Sequence, residues 1–225
     1  VEHTSPGECR LLQGLTTHNL TCIRGDRAVF AGLDLAVKPG RAMLLSGSNG
    51  SGKSSLLRVL AGLLPAAHGH IDWAGEDVAD DPDAHRARTA YIGHADPLKP
   101  SLTASENLEF WGRLYGLEPE VEAALSQFSI AGLADVPARY LSAGQKRRVN
   151  LSRLAVGQNS RTGPVLWLLD EPATGLDPGA VSMLAHTILT HLSNEGIAIV
   201  SSHGGRLDEL LEGKADHFSI SARGS

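Results

Sequence analysis

Residues 47–54, Gly47-Ser48-Asn49-Gly50-Ser51-Gly52-Lys53-Ser54, fit the pattern G-x-x-x-x-G-K-[ST], and nothing else in the chain narrows its fold as much. The pattern has mechanical meaning only between a strand and a helix. Here the apolar run Ala42–Leu45 precedes it, and a helix-periodic segment through Leu56, Leu57, Leu60 and Leu63 follows. Glycines let the backbone curl so that successive N–H groups point inward at phosphate oxygens, at a helix N-terminus whose dipole favours anions. Lys53 would reach the β and γ phosphates, the Ser54 hydroxyl would ligate Mg²⁺, and Ser55 beside it is counted with the nucleotide-binding residues.

A second feature belongs with the first. Val165-Leu166-Trp167-Leu168-Leu169 is an apolar strand ending in Asp170-Glu171. The C-terminal ends of buried strands are where open α/β sheets bind ligands. Asp170 can hold Mg²⁺ through water there, while Glu171 orients and polarises an attacking water.

The remaining pattern is strand–helix alternation interrupted by helices. Residues 18–46 read as antiparallel strands joined by turns at Arg24–Arg27 and Lys38–Gly40, and 69–75 as another strand. Residues 76–88, with five acids between Glu76 and Asp83, read as a polar connection. Thr103 and Glu106 have capping-box spacing ahead of a helix through Leu108, Trp111 and Tyr115. Further helices are predicted from Pro119 to Phe128, after Ser142, and from about Pro178, with a buried strand at 197–201. This is an α/β core with an inserted helical lobe.

Composition limits the rest. Lys plus Arg total 20 against 25 Asp plus Glu, a formal charge of −5, and aromatic residues are 4%. Neither a polybasic surface nor a base-stacking platform follows, so nucleic acid is not the expected partner. The longest stretch free of Asp, Glu, Lys and Arg is 178–194, broken by His186 and His191. A spanning helix needs about 20 mainly apolar residues, and no charged-then-apolar leader opens the sequence. Cys9 and Cys22 do not make a disulfide framework and suit a reducing compartment. A membrane role would require a partner. Residues 1–15 are assigned no role, and the Val at position 1 leaves the true start open.

Leu141-Ser142-Ala143-Gly144-Gln145, lying between the phosphate loop and a strand ending Asp170-Glu171-Pro172, resembles the ATP-binding subunits of ABC transporters over about residues 20–215. By itself that run is a capped helix with a basic, solvated first turn; the combination decides. The resemblance implies a P-loop NTPase (RecA-like) core with an antiparallel β subdomain and an inserted α-helical subdomain. It implies one ATP-binding domain over 16–220, its core at 16–96 and 159–220 and its helical subdomain at 97–158. ATP and Mg²⁺ are the implied cofactors. Two copies would pair head to tail, each ATP lying between the Gly47–Ser55 segment of one and Ser142, Ala143, Gly144 and Gln145 of the other. Thr174-Gly175-Leu176-Asp177 matches the D-loop and His203 the switch histidine.

Two positions depart from the family pattern. The Q-loop glutamine is His94, and the aromatic that stacks on adenine aligns with Arg24, whose guanidinium can also stack on a planar base. Together with Cys22-Ile23-Arg24-Gly25-Asp26-Arg27, Gly93-His94, Leu98-Lys99, Leu102-Thr103, Glu106-Asn107-Leu108 and Leu141–Arg148, they resemble the cytochrome c maturation subgroup, the haem exporter ATPases. The resemblance implies separate membrane permease subunits, an indirect link to a haem chaperone, and a peripheral place on the cytoplasmic face of the bacterial inner membrane. The ATPase subunit of another small exporter is the alternative, and an ATP-gated clamp on nucleic acid a more distant one. The loop Gly157–Gly163 is a few residues longer than the family pattern. Phe110, Trp111 and Tyr115 suit lobe packing or contact with a permease. His68-Gly69-His70 lacks a third metal ligand nearby in sequence and is not read as a metal site.

Overall fold

The computed structural model describes residues 14–156 and 163–220, so Cys9 and most of the 157–163 loop lie outside it. Two sheets organise the chain. The first is antiparallel, in the order β2-β1-β4-β5, built from β1 (Leu15–Arg24), β2 (Arg27–Val37), β4 (His68–Trp73) and the two-residue β5 (Glu76–Asp77). The second has the order β6-β7-β8-β3-β9: β6 (Thr89–Ile92), β7 (Leu166–Asp170), β8 (Ile197–Ser201), β3 (Ala42–Ser46) and β9 (Ala215–Ser219). Every pairing in this second sheet is parallel.

β3 corrects the sequence reading. Residues 18–46 were expected to be antiparallel throughout, yet β3 pairs in parallel with β8 and β9. Its sequence, Ala-Met-Leu-Leu, is apolar on both faces rather than alternating, as a strand covered on both sides must be. The segment 76–88 is also more than a polar connection. Asp81 accepts from the Ala84 N–H and caps a helix, α2 (Pro82–Ala87), that opens on proline.

The parallel sheet splits the core by strand periodicity. Leu44, Trp167, Leu169, Ala198 and Val200 face the helical side, while Met43, Leu45, Leu166, Leu168, Ile197 and Ile199 face the antiparallel sheet and α1 (Lys53–Leu60). α1 stops before Leu63, which is left exposed. On the helical side lie α3 (Ala104–Leu114), α4 (Val121–Gln127) and α5 (Ala143–Ser152), followed in sequence by α6 (Pro178–Ser193) and α7 (Arg206–Leu211). The Thr103–Glu106 capping box is present in full. No helix among the described residues is long and apolar enough to cross a membrane.

One buried histidine makes this core sensitive to pH. The His191 ring stacks on Trp167 at 3.7 Å between centroids and 6° between planes. Its Nε2–H donates to the carbonyls of Val165 and Ile197 at 3.1 and 3.3 Å. A Cβ on Gly196 would lie 2.3 Å from the ring, so only glycine fits beneath it. Burial pushes the His191 pKa down to about 4, against the backbone hydrogen bonds that favour the charged form. The unfolded chain, with an ordinary histidine near 6.5, therefore takes up the proton first. The stabilisation is present in full above about pH 6.5 and is lost as pH falls toward 4, by about 3 kcal/mol in all. Urea unfolding of the wild type should weaken over that window, and His191→Phe, which keeps the stacked ring, should flatten the dependence. Parallel pH profiles would refute the assignment.

Candidate functional site

The topology gathers the motifs without help from distant loops. The phosphate loop follows β3, His203 follows β8, Asp170-Glu171 ends β7, and Gly93-His94 follows β6. These strands are successive neighbours in the parallel sheet, so all four motifs emerge along one edge.

The loop itself is shaped by its glycines. Gly47, Gly50 and Gly52 have φ of 146°, 79° and 105°. A Cβ on Gly47 would meet the Ile220 carbonyl at 2.5 Å, and one on Gly52 would meet Val29 Cγ1 at 2.8 Å. Gly52 caps α1 with no side chain, leaving the first N–H groups of the helix to the loop's interior. Lys53, almost wholly buried, folds its Nζ back to donate to the Gly47 and Ser48 carbonyls at 2.7 and 3.3 Å. The Ser51 hydroxyl is buried with no hydrogen-bond partner. An orphaned donor in an anion cradle fits a phosphate oxygen. The cleft is about 690 Å³ and is lined by Arg24, Asn49 to Ser55, Glu171 and His203, among others. Arg24 thus stands at the cleft that the glycine loop lines.

Asp170 is 2% exposed and sits at the centre of the strand ends. Its Oδ1 accepts from Ser54 Oγ at 3.0 Å and from Ser201 Oγ at 2.8 Å. Ser54 and Asp170 are both hard oxygen donors. Such an all-oxygen donor set fits Mg²⁺, which Ser54 would hold directly and Asp170 through water.

Glu171 has a left-handed backbone, φ 48°, which turns its side chain back toward the cleft. His203 Nε2–H donates to its Oε1 at 2.8 Å, Thr174 Oγ1 donates to Oε2 at 3.4 Å, and His94 Nδ1 lies 4.0 Å from Oε2. The hydrogen bond from His203 holds the Glu171 carboxyl below the usual carboxylate range despite partial burial, with the charges of His203, His94 and Lys53 acting the same way. A carboxylate held ionised in this way can orient and polarise a water through a charge-assisted hydrogen bond.

The signature segment lies elsewhere. Ser142 caps α5 in a reciprocal box, Gln145 N–H donating to Ser142 Oγ at 3.3 Å and Ser142 N–H to Gln145 Oε1 at 2.8 Å. Arg148 pairs with Asp177, which caps α6. Hydrogen bonds from the Ala180 N–H and from Arg148 hold the Asp177 carboxyl low. Ser142, Gly144, Gln145, Gly175 and Asp177 line a separate cleft of about 350 Å³ that shares no lining residue with the phosphate cleft.

The sequence reading missed Arg147. Its neighbourhood was expected to be a solvated basic turn, but the side chain is 6% exposed. Its guanidinium donates to four acceptors: Pro172 carbonyl at 3.3 Å, Gly93 carbonyl at 3.2 Å, Asp96 Oδ1 at 3.0 Å and Glu171 carbonyl at 2.9 Å. Asp96 also accepts from Asn150 Nδ2 at 2.8 Å. One side chain therefore ties the signature helix to the turn carrying His94 and to the strained backbone of Glu171. The signal available in the sequence was periodicity: Arg147, Asn150 and Leu151 share one face of α5.

The profile of the ABC transporter family matches residues 30–174. The chain is 50% identical over 208 residues to the cytochrome c biogenesis ATP-binding export protein CcmA of Paramagnetospirillum magneticum, covering 90% of this chain and 94% of that protein. It is 50% identical over 206 residues to the protein of the same name from Rhodospirillum rubrum, covering 89% and 85%. Among solved structures it is similar to an ATP-binding subunit of an ABC transporter, with a TM-score of 0.78 and 25% identity over 93% of this chain and 88% of the other. A nucleotide-free ATP-binding cassette from an ABC transporter gives a TM-score of 0.74 at 23% identity, covering 94% and 88%.

The Arg147 contacts predict a specific kinetic signature. Arg147→Gln should lower nucleotide turnover by about tenfold or more with KM changed less than about twofold, since the lost bonds hold the Glu171 and Gly93 backbones rather than the phosphate cradle. Arg147→Lys should not rescue, because an ammonium does not match a planar fork. Unchanged kcat in both variants would remove the role.

Proposed function

Because the chain belongs to the ABC transporter family, as an ATP-binding subunit of the cytochrome c biogenesis exporter type, we propose that two copies pair head to tail and hydrolyse ATP at their shared interface to drive separate membrane permease subunits. One observation carries this reading: the phosphate cleft and the signature cleft lie apart on the same chain and share no lining residue. A lone copy then offers one half to each of two nucleotide sites and completes neither. The domain we assign spans 16–220, with 97–158 as its helical subdomain between the core segments 16–96 and 159–220.

In this reading the N–H groups of residues 47–54, the orphaned Ser51 hydroxyl and Lys53 hold the phosphates. Arg24 lies at the mouth of the cleft for the adenine. Ser54 and Asp170 would hold Mg²⁺, which supplies charge neutralisation at the outer phosphates. Glu171, kept ionised by His203, orients and polarises the attacking water, while His203 and His94 face the same carboxylate and the γ-phosphate end of the cleft. The Ser142–Gln145 turn of the partner copy completes the site, and Asp177 borders that interface. Phosphoryl transfer asks mainly for such positioning and charge stabilisation.

The permease side is supported by a groove of about 400 Å³ between α1 and the helical region, lined by Leu63, Tyr91, Trp111, Leu114, Tyr115 and Arg153, among others. Leu63 and Leu114 are 59% and 61% exposed there, although most large apolar side chains are buried. Arg153 stacks on Trp111 at 3.3 Å, and Phe110 is covered by Lys99 at 4.9 Å. An apolar, rimmed groove of this kind suits a short helix of a membrane subunit at the cytoplasmic face of the inner membrane. The transported or remodelled species in this reading is haem or a haem–chaperone intermediate, following the resemblance of the sequence motifs to the haem exporter ATPases.

Glu171→Gln should bind ATP, turn over about 10²–10⁴-fold more slowly, and accumulate as an ATP-bound dimer in size-exclusion chromatography; undiminished turnover would overturn the role. Lys53→Ala should lose tight ATP binding, and an unaltered calorimetric affinity would refute that assignment.

A further inference from the structure

The outer face of the antiparallel sheet carries a second cluster of metal-ligating side chains. β1 and β4 run antiparallel with His18 opposite His70 and Thr16 opposite Asp72. Residues two apart on a strand share a face, as do cross-strand partners, so His18, His70 and Asp72 project to one side. His18 Nε2 lies 3.3 Å from Asp72 Oδ2, and His70 Nε2 lies 3.7 Å from the same oxygen. The imidazoles stack at 4.8 Å between centroids with 27° between planes. All three donor atoms fall within 4.8 Å of one another. The sequence had offered only His68-Gly69-His70, without a third ligand. The missing ligands come from pairing register: His18 from the neighbouring strand and Asp72 from two residues along, while His68 is opposite Thr21 beyond a register shift.

The backbone is shaped for this approach. The ladder shifts register immediately after the His18–His70 pair, and Asn19 takes a left-handed φ of 50°. Gly69 has φ of 82°, and a Cβ there would lie 2.3 Å from the His18 carbonyl. Only glycine lets the strands come this close beside the two imidazoles. Bulges of this kind re-aim side chains.

We propose that His18, His70 and Asp72 form a surface site for a Zn²⁺-type divalent cation, with water completing the coordination. Bonds of about 2.0–2.1 Å in a tetrahedral site put neighbouring donor atoms about 3.3 Å apart, close to the two separations that converge on Asp72. Two imidazoles with one carboxylate select Zn²⁺ and its late-transition-metal neighbours over Mg²⁺ and Ca²⁺, which take all-oxygen shells. The cation accompanying ATP therefore does not compete for this site. Bound metal clips β1 to β4 at the bulge, on the strand that ends in Arg24.

Calorimetric titration of the chelator-stripped full chain with Zn²⁺ tests this. One site is expected in the wild type, weakened at least about tenfold in His70→Asn and in His18→Ala, and unaltered in His203→Gln and Cys9→Ser, which control for the other nitrogen- and sulfur-bearing candidates. All of these side chains except Cys9, which lies outside the described residues, are partly or largely exposed, so the variants should fold. Zn²⁺ but not Mg²⁺ should raise the Tm of the wild type and leave that of His70→Asn unmoved. Co²⁺ should give a visible spectrum without thiolate charge transfer. Equal Zn²⁺ affinity in wild type and His70→Asn, binding that disappears in His203→Gln, or no binding at all, which would leave only a histidine–carboxylate ion pair, would each overturn the proposal.

Discussion

The site depends on one buried carboxylate. Asp170 accepts hydroxyl hydrogens from Ser54 and Ser201, so a single oxygen joins the first turn of α1, the end of β7 and the end of β8. A carboxylate at 2% exposure is costly unless it is hydrogen-bonded, and these bonds offset that cost. Ser201 does double duty, because its oxygen also accepts from the Glu171 N–H at 2.9 Å. The left-handed turn at Glu171 is thus pinned from β8 by a side chain and from α5 by Arg147. Strain at that residue persists because the surroundings over-determine it.

Much of this was legible in the sequence because the signals were local. A glycine loop between strand and helix, an apolar run ending in acids, and capping-box spacing all report on contacts within a few residues. The alternation of strands and helices also gave the α/β core. Pairing partners were less legible. β3 looked like a third strand of an antiparallel meander, since a four- or five-residue apolar run says nothing about direction. β6, Thr-Ala-Tyr-Ile, was too short to stand out, yet it brings His94 to the strand edge. Arg147 was hidden for a related reason: a charged residue in the first turns of a helix looks solvated until the backbone carbonyls that receive it, from Gly93, Glu171 and Pro172, are brought together by the fold.

The electrostatics around Glu171 explain why histidines tolerate this position. His203 donates directly and His94 lies slightly farther off, so both favour the charged carboxylate. His94 places a second ring nitrogen beside that carboxylate, its Nδ1 4.0 Å from Oε2.

The signature turn is a helix start whose cap is satisfied within the chain and which still keeps a hydroxyl donor in reserve. In the isolated chain Ser142 Oγ accepts from the Gln145 N–H, and Gln145 Oε1 accepts from the Ser142 N–H, so neither end of the box is left unpaired. A serine hydroxyl has one donor and two lone pairs. The box uses a lone pair and leaves the O–H free to turn outward, toward an anion presented by another copy, without breaking the cap. In the proposed head-to-tail pairing, a phosphate held by the partner copy would gain a hydrogen bond and the favourable end of the α5 dipole at little cost to this chain. Arg148, pairing with Asp177 beside the same cleft, fixes the signature turn against the start of α6. In the head-to-tail pairing proposed above, a second copy would meet a preformed turn, and the free energy of ATP binding would go into bringing the two copies together rather than into ordering this turn.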